Sequence, residues 1–117
     1  MDHTILLVED DDDLREVMRD ALEANGYDVV AARNGQEALD ELPEIRHLCL
    51  VLLDLVMPRM NGWEFYEKVR EREALAEVPI VVHSSSTTRA PQGAARVLRK
   101  PISLEVRLSV VQEHCPR

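Results

Sequence analysis

Residues 48–62 read LCLVLLDLVMPRMNG: an apolar run from Leu48 to Leu53, an acid at Asp54, and a loop closing on Gly62. A run this short and this apolar suits a strand buried on both faces, because a half-exposed strand would alternate polar and apolar residues. Such strands belong to parallel sheets with helices packed on either side. The flanking sequence agrees. Upstream, Thr4 to Val8 (TILLV) is another apolar run, followed at once by the acids Glu9 to Asp13. Leu14, Val17, Met18, Ala21 and Leu22 then recur at helical spacing, with acids favoured in the first turn and Asn25-Gly26 as the stop. Tyr27 to Ala32 reads as a strand, and Asn34-Gly35 turns into a short helix through Leu42. Downstream, Trp63, Tyr66, Val69 and Arg70 lie along a helix, while Val78 to His83 (VPIVVH) and Val97 to Arg99 are further strands. Ser103 caps a last helix that carries Leu104, Leu108 and Val111 on one face.

Strands alternating with helices through short connections predict one α/β domain over 1–117, built on a doubly wound five-stranded parallel sheet. In such sheets the ligand site lies beyond the carboxyl ends of the strands, where the strand order reverses. The residues that follow each strand are therefore the candidates. Glu9 and Asp10 follow the first, Asp54 the third, Ser84 the fourth and Lys100 the fifth.

Composition excludes several classes. The chain has 117 residues, 45% hydrophobic and 31% charged, as expected of a folded globular protein and not a disordered one. Its longest apolar run is too short to cross a bilayer, and no charged-then-apolar leader opens it, so the cytosol is the expected location. A net charge of −8 argues against direct contact with nucleic acid, which needs clustered Lys and Arg. Cys49 and Cys115 form no C-x-x-C pair. Cys49 is expected to be a small buried hydrophobe and Cys115 an exposed residue, with no bridge between them. His3, His47 and His114 are scattered and give no metal-ligand spacing.

The acids suggest a chemistry. Glu9, Asp10 and Asp54 would converge at one sheet edge, and three carboxylates so close do not all stay ionised cheaply without a cation. Mg²⁺ fits, since it takes one or two carboxylates with waters and phosphate oxygens. It would neutralise an incoming phosphoryl group and leave one carboxylate free to act as nucleophile. Lys100 brings a mobile positive charge and Ser84 a hydroxyl able to meet the same phosphate. Pro101 fixes the backbone next to the lysine. Asp11, Asp12 and Asp13 are expected to be a solvated helix start. His83 is expected to be a strand-end residue that does not pair with Ser84, because adjacent strand side chains point to opposite faces.

The stretches ILLVEDDDDLR, LVLLDLVMPRMNGWEF, PIVVHSS and RKPIS together resemble the receiver domain of bacterial two-component response regulators, over nearly the whole chain. The resemblance implies the flavodoxin-like (βα)₅ fold, with Asp54 phosphorylated by the phosphohistidine of a sensor kinase or phosphotransfer protein. It implies Glu9 and Asp10 as the acidic pair, and Mg²⁺ held by Asp10, Asp54 and the backbone carbonyl of Val56. Ser84 would be the switch hydroxyl and Lys100 the phosphate-contacting lysine. Such a domain signals and is not an enzyme in the usual sense; its downstream partner is unspecified.

Two departures stand out. Val97 occupies the place, three residues before the lysine, where the family usually carries an aromatic. The segment SSSTTRAPQGAARVLRK is shorter than usual and lacks an apolar helical stripe, so the fourth helix is expected to be stunted or replaced by a loop. Two rivals follow: a non-phosphorylated pseudo-receiver acting as an interaction module, and a Mg²⁺-dependent aspartyl-phosphate phosphatase. The phosphatase reading lacks the second aspartate expected two residues after the nucleophile, where Val56 stands.

Overall fold

Five apolar segments form the strands of one sheet: β1 (Thr4–Val8), β2 (Asp28–Ala32), β3 (Leu48–Asp54), β4 (Ile80–Ser84) and β5 (Arg96–Arg99). The structure, a computed structural model, describes residues 3–54, 62–72, 75, 77–84, 93–99 and 102–116. The helices are α1 (Asp12–Ala24), α2 (Gly35–Glu41), α3 (Gly62–Arg70) and α4 (Leu104–His114), with a short 3₁₀ turn at Leu42–Glu44. All strand pairs are parallel, in the order β2-β1-β3-β4-β5. That is the doubly wound flavodoxin-like order, with its switch point between β1 and β3.

The helix starts follow from single residues. Asp11 accepts from the Leu14 amide, Asn34 from Glu37 and Ser103 from Val106, each satisfying an amide that the first turn leaves open. Helix α1 stops at Asn25, and Gly26 takes a positive φ of 92° there, a conformation that costs glycine nothing.

Strand alternation then divides the core. Leu6, Val8, Val51, Leu53, Ile80 and Val82 face α2 and α3, packing on Ala38, Leu42, Phe65, Tyr66 and Val69. Ile5, Leu7, Leu50, Leu52, Val81 and Leu98 face α1 and α4, packing on Met18, Leu22, Val110, Val111 and Cys115. Phe65 and Tyr66 thus fill the core on this side of the sheet. Val17 differs from expectation: it is 50% exposed. The buried stripe of α1 runs through Met18 and Leu22, one turn apart, and Val17 sits about 100° round the helix from Met18.

Cys115 is also a correction. It is fully buried and forms a disulfide with half-buried Cys49, the Cα atoms 5.8 Å apart. The topology explains the pairing. A helix that follows a parallel strand runs back toward the amino edge of the sheet, so the end of α4 arrives where β3 begins. The expectation of a stunted fourth helix falls largely on residues outside those described. Among the described residues no helix lies between β4 and β5, and Gly93 there has a φ of 88°.

Candidate functional site

Register levels the carboxyl ends of the central strands. Val8 lies beside Ala32 and Leu53, and Asp54 beside His83, while Ser84 pairs with Arg99. The residue after β1 and the last residue of β3 therefore meet across the switch point. Carboxylate oxygens of Glu9, Asp10 and Asp54 all lie within 4.8 Å of one another. Glu9 and Asp54 are 3% and 2% exposed, whereas Asp10 is open to solvent.

Local hydrogen bonds hold the acidic turn in place. The Asp11 amide donates to Glu9 Oε2 at 3.1 Å, and Arg15 Nη1 donates to the Glu9 carbonyl at 2.9 Å. The second guanidinium nitrogen of Arg15 binds Asp12. Asp11 spends its carboxylate on the Leu14 amide as the α1 cap, and Asp12 and Asp13 stand in the exposed first turn. These three acids are helix-start residues, as the sequence suggests.

Octahedral Mg²⁺ ligands at about 2.1 Å are about 3 Å apart when adjacent and about 4.2 Å apart when opposite. Three oxygens within 4.8 Å, two of them on buried carboxylates, fit that set with small adjustments. The donors are all hard oxygens, which select Mg²⁺ over thiophilic metals. Of the other candidates, Ser84 is the last residue of β4, so its backbone stands at the same sheet edge. Val56 and Lys100 lie outside the described residues. His83 is 2% exposed and interior to β4, a buried strand residue beside Asp54. Val97, in the place of the family's aromatic, is half-buried in β5 and pairs with Val82.

Arg107 was not among the residues singled out from the sequence. It is only 6% exposed, on the α4 face of the sheet, and its Nε has no hydrogen-bond partner among the described residues. Alternation places Glu9, Asp54 and His83 toward this same layer, since Leu7, Leu52 and Val81 belong to it. Burial pulls the Arg107 guanidinium below its ordinary range, while Glu9 and Asp54 pull it back up. Its positive charge is thus felt at both buried carboxylates. One sign was available earlier: Arg107 sits at i+3 from Leu104 and i−4 from Val111, inside the apolar stripe.

Comparison with known proteins agrees with this geometry. The family model described as response regulator receiver domain matches residues 5–112. The polar-differentiation response regulator DivK of Brucella ovis is 29% identical over 110 residues, covering 89% of each chain. Chemotaxis protein CheY4 of Vibrio cholerae superposes with a TM-score of 0.85 at 29% identity, over 97% of this chain and 99% of that one. Response regulator TrrA of Thermotoga maritima, solved in complex with Mg(2+)-BeF, superposes with a TM-score of 0.82 at 26% identity, over 95% and 97%. A matching family model over nearly the full length, on a sheet of this order, shows that the chain belongs to the response regulator receiver domain family.

Proposed function

We propose that this receiver domain takes a phosphoryl group onto Asp54 in a Mg²⁺-dependent reaction, the donor being a phosphohistidine of a sensor histidine kinase or phosphotransfer protein. The observation that carries the reading is the convergence of Glu9, Asp10 and Asp54 within 4.8 Å across the switch point. Glu9 and Asp10 would hold Mg²⁺ with Asp54, and by resemblance with the Val56 carbonyl; when bound, the ion offsets the negative charge that gathers as phosphate meets carboxylate. An Asp54 carboxylate oxygen attacks phosphorus, the P–N bond to the donor imidazole breaks, and the electron pair leaves with that nitrogen. Hydrolysis of the acyl phosphate later restores the carboxylate and releases inorganic phosphate.

The surroundings support the chain's part in this. Burial keeps Asp54 poorly hydrated, which raises the worth of every nearby charge. The Asp11 amide orients Glu9, leaving exposed Asp10 accessible from solvent. Ser84, at the end of β4, and Lys100 are the residues assigned to grip the phosphate and bias a pre-existing equilibrium between surface arrangements. The domain assists its own phosphorylation and hydrolysis but acts as a cytoplasmic signalling protein, not as an enzyme on external substrates. Val97 in place of the aromatic favours a pseudo-receiver instead, so phosphotransfer is the deciding measurement.

With acetyl phosphate and Mg²⁺, the protein is expected to gain one phosphoryl group by intact mass, and Asp54→Asn to gain none. Beryllofluoride should perturb the amide resonances of the natural protein and leave those of the variant unchanged. Equal labelling of Asp54→Asn, or no labelling of the natural protein by any phosphodonor, overturns the proposal.

A further inference from the structure

The Cys49–Cys115 disulfide lies at the amino edge of the sheet, opposite the acidic cluster. It joins the start of β3 to the residue after α4. A third ligand-type residue is there as well. His3, immediately before β1, offers a ring nitrogen within 4.8 Å of both sulfurs. Its Nδ1 is buried and has no hydrogen-bond partner among the described residues, although buried polar atoms are nearly always satisfied. The ring meets Tyr27 edge-on at 6.5 Å, and the Tyr27 hydroxyl donates to the Cys115 carbonyl at 2.7 Å. The backbone at Cys115 is therefore also tied, independently of the sulfurs, to Tyr27 just before β2.

We propose that Cys49, Cys115 and His3 form, on reduction, a three-ligand site for a thiophilic divalent metal of the Zn²⁺ class. A dithiol reductant donates two electrons to the disulfide, leaves as its own cyclic disulfide, and yields two thiols. The metal then displaces both thiol protons to solvent and takes two thiolates and the neutral His3 imidazole, with no change in its oxidation state. Zn–S bonds of about 2.3 Å and Zn–N bonds of about 2.0–2.1 Å set tetrahedral ligands about 3.5 Å apart. Here the ring nitrogen and both sulfurs lie within 4.8 Å of one another, with the two cysteine Cα atoms 5.8 Å apart. Two thiolates and an imidazole suit zinc, whereas the carboxylates at the other edge suit Mg²⁺. The C-terminal helix is in this way clasped to the sheet by sulfur alone when oxidised and by metal when reduced. This inference stands apart from the phosphoryl reading, since the two sites share no residue.

The test compares oxidised and dithiol-reduced forms of the tag-free protein, titrated with Co²⁺ as a spectroscopic probe in excess Mg²⁺. Only the reduced form should show thiolate-to-cobalt charge transfer with intense tetrahedral d–d bands, at one equivalent, and Zn²⁺ should displace the cobalt. His3→Ala should weaken binding by at least about tenfold. If reduction unfolds the chain, addition of Zn²⁺ should restore its circular dichroism. Absence of thiolate charge transfer, equal cobalt spectra from oxidised and reduced protein, unchanged affinity in His3→Ala, or a reduced chain that zinc fails to refold would each overturn the proposal.

Discussion

At the residue scale the acidic site divides into what a strand end announces and what a helix hides. Asp54 could be found because a fully apolar strand stops on it, and Glu9 and Asp10 because they follow another such strand. Arg107 could not be found that way: it stands among apolar residues of α4, where a charged side chain is ordinarily placed toward solvent. Its burial makes it a fixed cation facing Glu9 and Asp54. Two effects oppose each other when it is removed. The protein sheds the desolvation cost of a guanidinium whose Nε has no partner among the described residues, but the two carboxylates lose a counter-charge. Stability in Arg107→Met reflects the difference between these, whereas Mg²⁺ affinity responds to the second alone. Loss of the competing positive charge should tighten Mg²⁺ binding by about 1 kcal/mol, a factor of about five, when measured by calorimetric titration at low ionic strength. Unchanged or weaker binding would show that the Arg107 charge is not felt at the carboxylates.

At the element scale, stability should be lost where single residues define or fill a helix. In α2 the Asn34 side chain accepts from the Glu37 amide at 2.8 Å, and Glu37 reaches back to the Arg33 amide at 2.9 Å. Seven residues are too few for this helix to persist without such a start. Asn34→Ala should cost about 1 kcal/mol in urea unfolding, and Asn34→Ser should restore most of it. Phe65 of α3 is wholly buried between that helix and the sheet, so Phe65→Ala should cost about 3–5 kcal/mol. Asn34 was legible in the sequence as the turn into α2, and α3 as a helical run through Trp63, Tyr66 and Val69. The helical spacing was less decisive on α1, where Val17 shares the apolar period but sits at the edge of the buried stripe, 50% exposed. Periodicity gives a helix's buried direction, while the width of the buried stripe depends on how closely β2 and α4 approach, which no local pattern records.

At the scale of the whole molecule, the parallel sheet was legible because strands alternate with helices, and its flavodoxin-like form came with the family resemblance, yet the contact that closes the fold was not legible. Cys49 and Cys115 are 66 residues apart, and nothing near either one signals the other. Only after the sheet is assembled does α4, returning along the strands, carry Cys115 to the start of β3. A link across so long a stretch acts mainly on the unfolded chain, by removing conformations that the open chain would sample. The loop-entropy relation gives about 4 kcal/mol for a loop of this size, and measured values for disulfides commonly fall lower. Reduction with a dithiol in the presence of a strong chelator should therefore lower the unfolding free energy by roughly 2–4 kcal/mol. The denaturant dependence should steepen as well, because an open unfolded chain exposes more surface than a looped one. Both quantities come from urea titrations of one protein under oxidising and reducing conditions. A loss well below 1 kcal/mol with an unchanged slope would mean that the unfolded chain stays nearly as compact without the bridge as with it, so that the bridge removes few conformations from it.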